Sequence, residues 1–363
     1  MTDEPGTARD VADGDPDEAP ARRRLHPVVK VVIGSLVVAA ASWLVVSTAG
    51  GVGDALDAVG RMRGGFVVLA LGFAVVRLVL FGLQLRWLGR RTGEMSLMAA
   101  LGLSLVVFGF GAVTPAAPAE GMAIASRELR RRGRTKRQAR LTVGFSEWFA
   151  QRTFYAVAAL DLLLVIALGH LSFADSWPFI VVAVVVIVAI TGTAIVARRP
   201  TSAEWMFGVL AAIRIRRPQP EPEARRQAAG AWHAEAMAVV GPPMNRVRLA
   251  LISAAAVLAD AATLWATCHA AGFHIHPELA LLARTVGTVA SWIPLLPSGL
   301  GVVEVAIPAI LHRFGAPLDD ALAATLVYRA AGTLLPALAG GVAMIALRTH
   351  RPDSHSITAA AGA

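Results

Sequence analysis

Between residues 279 and 313 an apolar stretch is broken at its centre by Pro294, Pro297, Ser298, Gly299 and Gly301, and a carboxylate, Glu304, follows at once. Proline removes a backbone donor and glycine weakens a helix, so the run Pro-Leu-Leu-Pro-Ser-Gly-Leu-Gly should interrupt one. Inside a bilayer, freed backbone groups persist only where protein or a water-filled cavity satisfies them. The segment is therefore expected to form a broken helix or a re-entrant hairpin lining a polar site.

A bilayer is the right solvent to assume. Of 363 residues 56% are hydrophobic and only 16% charged, with a mean hydropathy of +0.60. Together with several apolar runs of about 20 residues, this makes the chain an all-α polytopic membrane protein. The net charge of +9 would suggest nucleic acid in a soluble chain. Here the Lys and Arg residues cluster in loops, as cytoplasmic loops of membrane proteins do, and no nucleic-acid partner is expected. One cysteine, Cys268, excludes an intrachain disulfide framework. His269, His274 and His276 have loose metal-like spacing but no carboxylate or cysteine set around them. No metal or cofactor is expected.

In chain order, residues 1–24 read as a disordered acidic cytoplasmic tail. A transmembrane domain follows over 25–350, and 351–363 form a second disordered tail. Arginines 22–24 precede a first membrane helix at 28–49 that is longer than the apolar core of a secretory signal, and they place the N-terminus in the cytoplasm. A second span, 66–87, returns. Residues 96–113 are just long enough to cross, but eight cations within 127–140 would then be stranded outside. A hairpin over 96–129, turning at the Pro-rich stretch 114–121, avoids this; a simple span with atypical orientation is the alternative. Spans at 141–168 and 178–197 lead to an Arg-rich cytoplasmic amphipathic linker at 200–247. A span at 248–271, a hairpin from outside at 279–313 and a span at 321–347 complete the chain, with the C-terminus in the cytoplasm.

About six full spans plus two broken hairpins result, and their order suggests an inverted repeat. One half runs span inward, hairpin from inside, span outward; the other runs the reverse. Glu120 and Glu304 follow the two Pro-rich tips, and Arg152 and Arg329 lie about a third of the way into the following helices. No residue-level identity joins the halves. Inverted repeats whose broken segments meet near the midplane are a common way to build a transport site.

Arg77, Glu147, Arg152, Asp161, Asp260, Arg284, Glu304 and Arg329 all fall within apolar spans, where a central charge costs roughly 2.5–3.5 kcal/mol. They must pair or face water. One reading is structural ion pairing, with Arg152 set against Glu147 or Asp161. The other makes Glu304, Arg329 and Glu120 a lipid-headgroup or proton site, since the planar fork of Arg suits phosphate. The cations at 127–140 serve as topology signals and attract anionic lipid, or recruit a headgroup toward the hairpin mouth.

The residues 297–304, Gly315-Ala316-Pro317, Tyr328-Arg329 and 335–341 resemble the C-terminal signature of the lysylphosphatidylglycerol synthase transmembrane family, also called flippase-like domain proteins. Residues 114–120 are similar to that family's first Pro/Gly/Glu motif, with Ala116, Ala117 and Ala119 where glycines are usual. Glu147 and Arg152 fall at its polar pair. The resemblance covers roughly 28–347. It implies movement of a phospholipid or lipid-linked envelope precursor between leaflets of a bacterial-type plasma membrane, with substrate contacts from Glu304, Arg329, Glu120, Arg152, Glu147, Ser298, Gly299 and Tyr328. The lipids in view are anionic phospholipids or polyprenyl-linked precursors. A noncatalytic subunit that positions a glycosyltransferase is the alternative function. Aminoacyl transfer belongs to an additional soluble domain in bifunctional relatives, so the chain is not expected to be an enzyme.

Overall fold

The computed structural model describes residues 57–111, 117–171, 222–291 and 301–349, together with Gly299 and isolated positions between 177 and 201. The expected first membrane helix, the Pro-rich tip at 114–116, Ser298, most of the span at 178–197 and both tails lie outside the described residues. Among those described there are ten α-helices and no strand. They are α1 (Gly64–Gly89), α2 (Leu97–Gly111), α3 (Ala117–Arg131), α4 (Lys136–Ala167), α5 (Pro222–Val240), α6 (Pro243–Ala270), α7 (Pro277–Ala290), α8 (Val302–Arg313), α9 (Leu318–Arg329) and α10 (Leu335–Thr349). A five-residue π-helical turn, Ala330–Leu334, joins α9 to α10.

Among the described residues four helices are long and apolar enough to cross a membrane: Gly64–Gly89, Lys136–Ala167, Pro243–Ala270 and the continuous rod Leu318–Val342. They coincide with the spans expected at 66–87, 141–168, 248–271 and 321–347. Their outer faces carry exposed Val68, Val75, Leu160, Leu164, Leu251, Leu258, Leu338 and Val342, apolar surface that suits lipid rather than water. Two helices begin earlier than hydropathy alone implies. The N-cap of α4 is Thr135, whose hydroxyl accepts from the Gln138 amide at 3.2 Å while Gln138 accepts from the Thr135 amide at 3.3 Å. This reciprocal cap starts the helix within the basic run. Helix α6 starts at Pro243, where a missing N–H costs nothing. The last residues of the expected linker at 200–247 are thus already part of a span. Helix α5 is also more than a surface element. Ala236, Val239 and Val240 pack with Leu88, Leu141, Phe149 and Leu249, anchoring it to α1, α4 and α6.

The region at 96–129 is a helical hairpin. At 1.5 Å per residue the 15 residues of α2 extend only about 22 Å, short of a hydrocarbon core of about 30 Å. The chain then returns as α3, placing Ala125 and Leu129 against Leu103 and Val107. Gly121 lies so close to α2 that a Cβ there would come within 2.9 Å of the Val107 carbonyl oxygen. Arg134, just past α3, donates to the carbonyls of Gly89, Gly93 and Glu94 at 3.0, 3.2 and 3.3 Å and to the Thr92 hydroxyl at 3.0 Å. The hairpin therefore ends where it began, at the Gly89 end of α1. A second hairpin, α7 with α8, is closed at the other end of the molecule by Ile275, Leu279 and Leu311. Gly287 gives room to Ile307, whose side chain would be 2.6 Å from an added Cβ.

The cations at 127–140 were expected to serve as topology signals that attract anionic lipid, or to recruit a headgroup toward the hairpin mouth. Arg134 departs from this: it is buried, and burial, with a smaller contribution from the charge of Arg132, lowers its proton affinity. It works as an internal clamp. Arg134→Ala, which leaves these acceptors unpaired, is expected to lower stability by on the order of 3 kcal/mol in thermal unfolding of detergent-solubilised protein, with Arg134→Lys recovering part of the loss.

Candidate functional site

The break in the second hairpin positions a carboxylate. Gly299 and Gly301 have φ of +64° and +81°, a region that L side chains avoid, and a Cβ on Gly299 would also meet the Ser291 Cα at 2.5 Å. The turn they make starts α8 at Val302, so that Glu304 falls in its first turn. Glu304 is buried there, and its Oε2 accepts from the Gly301 amide at 2.8 Å. A carboxylate at a helix N-terminus satisfies an orphan donor and meets the positive end of the helix dipole. Its other oxygen accepts from Arg329 Nε at 2.8 Å, linking α8 to α9.

Directly after Arg329 the rod widens into the π turn. The carbonyl of Gly332 would bond to an amide four residues on, but that residue is Pro336, which has no N–H. Arg77 takes this place, its Nη2 donating to the Gly332 oxygen at 2.6 Å. Arg77 stands near the middle of α1, roughly 20 Å from either end. Its Nη1 donates to Asp260 Oδ1 at 2.8 Å, and Arg284 Nε donates to Asp260 Oδ2 at 2.8 Å. The Tyr328 hydroxyl reaches the same oxygen at 3.4 Å. Each guanidinium also faces an aromatic ring, Arg77 over Phe108 of α2 at 5.0 Å and Arg284 over Phe154 of α4 at 4.8 Å.

These five ionic residues sum to one excess positive charge, three guanidiniums (Arg77, Arg284, Arg329) against two carboxylates (Asp260, Glu304). Arg77 Nε and Arg284 Nη1 are buried and have no acceptor. Buried donors of this kind are rare and call for a partner. The arrangement has both the charge and the open donors to receive an anionic group.

The chain matches, over residues 31–340, the family described as the lysylphosphatidylglycerol synthase TM region. It belongs to that family. No curated protein matches it. The resemblance in the two Pro/Gly/Glu segments thus extends along most of the chain.

Of the site residues expected for a flippase-like protein, the structure brings together Glu304, Arg329, Tyr328 and the turn at Gly299. Tyr328 adjoins this pair in sequence but directs its hydroxyl to Asp260. Glu120 is in the first turn of α3, with its side chain outside the described residues. Glu147 and Arg152 both lie on α4. Arg152 stacks over Trp148 at 3.9 Å, one turn back along the same helix. The pairing of Arg152 with Glu147 or Asp161 does not form among the described residues. Five positions along a helix is 140° around it, and Asp161 is about 13 Å further up the axis. Both oxygens of Asp161 are buried with no hydrogen-bond partner. What the sequence reading missed was the grouping of Arg77, Asp260 and Arg284. All three stood out as charges inside spans, but their meeting depends on how α1, α6 and α7 pack.

Asp260→Asn leaves two buried guanidiniums around a neutral amide and is expected to cost about 3–5 kcal/mol of stability. Glu304→Gln keeps an acceptor for Arg329 and should cost less. Denaturant titration of the two variants in the same detergent checks this order.

Proposed function

We propose that this flippase-like protein binds the phosphate of an anionic phospholipid or of a lipid-linked envelope precursor at the Arg77–Asp260–Arg284 cluster and carries the headgroup between leaflets. The observation that supports this most is the pair of acceptor-free donors, Arg77 Nε and Arg284 Nη1, in a group of five ionic residues with one excess positive charge. Arg forks recognise phosphate through paired, charge-assisted hydrogen bonds, which are about twice as strong as neutral ones. The carboxylates keep the arginines in place without neutralising all three.

The two hairpins support a transport route. The α2–α3 pair is fastened at the Gly89 end and the α7–α8 pair at the opposite end. In a membrane this is an inverted arrangement of broken segments, the kind that lets one site face alternate sides. We place the Arg-rich end, and with it both termini, in the cytoplasm, because cationic loops favour that side. On this reading six full spans surround two re-entrant hairpins, and the protein moves lipid rather than transforming it.

Arg284→Lys tests the reading, since it keeps the charge but loses the planar fork. In proteoliposomes, leaflet exchange of a fluorescent anionic phospholipid is expected to fall at least about tenfold, the loss of one bidentate contact worth about 1.4 kcal/mol, with the variant folded by size exclusion. Exchange at the unsubstituted rate would count against the arginine cluster as the binding site.

A further inference from the structure

One group of ionisable residues lies apart from the arginine cluster. Asp161, near the C-terminal end of α4, is only 4% exposed, and both its oxygens lack a hydrogen-bond partner. One turn on, Val165 packs into the core that holds Leu279 and Ala283 of α7, so the two helices are in contact here. Glu278, in the first turn of α7, lies within electrostatic reach of Asp161. The Glu278 Oε1 atom is 3.1 Å from His170 Nε2 and 3.8 Å from His276 Nδ1, and the two imidazole rings are 5.5 Å apart. Side-chain exposure falls stepwise along this line, from 72% at His276 to 27% at His170 and 12% at Glu278. Asp161 is its buried end.

Other charged groups near this seam are already committed. On α7, Arg284 bonds to Asp260, and Asp260 on α6 bonds to Arg284 and to Arg77 of α1. On α6, His269 bonds through Nδ1 to the Trp265 carbonyl at 3.0 Å. The basic residues of α3 and those near α5 lie at the opposite end of α4. Among the described residues no cation therefore bonds to Asp161, and an isolated buried carboxylate is far costlier as an anion than as a neutral acid.

We propose that Asp161 is a proton-binding residue loaded from the exposed end through His276, His170 and Glu278. The proton passes from an imidazolium to the Glu278 carboxylate and on to Asp161, leaving the imidazole neutral; no other bond changes. Phe154, two helical turns below Asp161 on the same face of α4, lies against Arg284. The proton site thus stands about 10 Å along the helix from the cluster assigned to lipid. If the proposed lipid transport holds, protonation at Asp161 is positioned to couple a proton gradient to it.

Infrared difference spectroscopy of the purified full chain during a pH titration tests the site without requiring transport. A protonated carboxylic-acid band persisting at neutral pH is expected, absent in Asp161→Asn and with slowed proton exchange in Glu278→Gln. The same band in Asp161→Asn, with that variant folded by size exclusion, would overturn the assignment. In proteoliposomes, an imposed pH gradient should change anionic-lipid exchange at least twofold for the unsubstituted chain and not for Asp161→Asn, whose gradient-free exchange stays unchanged. A missing band overturns the proton site, whereas a band without any lipid exchange overturns only the transport reading.

Discussion

The interior of this protein depends on the bonds around Asp260. One carboxylate receives Arg77 from α1 and Arg284 from α7, with Tyr328 of α9 at the edge of hydrogen-bonding distance. The arginines in turn rest on rings from α2 and α4. Six helices are connected through one buried anion. Because leaving any one of these charges unpaired in an apolar medium is so costly, this junction disfavours packings of the spans and hairpins that would separate them. Lipid tails are as apolar as leucine, so burial of leucine alone would not choose between alternative packings.

Breaks in the helices serve the same end. Pro336 leaves the Gly332 carbonyl free for Arg77, and the π turn widens the rod where Arg329 leaves it. The glycines at 299 and 301 let the chain turn closely enough to set Glu304 at the start of α8. Pro308, within α8, cannot bond to the carbonyl of Glu304, which leaves a second polar atom beside the turn. A regular helix would have consumed these groups internally. Interrupting it turns backbone into binding surface inside a region otherwise without polar partners.

Much of this was legible in the residues. Apolar run lengths located α1, α4, α6 and the α9–α10 rod to within a few residues, because the bilayer imposes length and composition strictly. Where the cation run after residue 126 argued for a returning hairpin, α2 and α3 pack against each other as neighbouring helices. The Pro/Gly turn followed by Glu304 pointed to a polar site, and the Glu304–Arg329 pair is there. Other features required three dimensions. Asp260, Arg77 and Arg284 are separated by up to 207 positions, and only the crossing of their helices makes them neighbours. Arg134 looked like any other loop cation, since nothing local distinguishes an arginine that caps carbonyls from one that faces water. Arg152 and Glu147 share a helix but not a face, a distinction that helical spacing could have drawn.

The central claim is that the arginine cluster receives a lipid phosphate. A density map of the protein in nanodiscs of anionic phospholipid tests it most directly. The account requires headgroup density within hydrogen-bonding distance of Arg284 Nη1 or Arg77 Nε. A map with lipid headgroups only at the surface, and the two arginines bonded to protein alone, would contradict it.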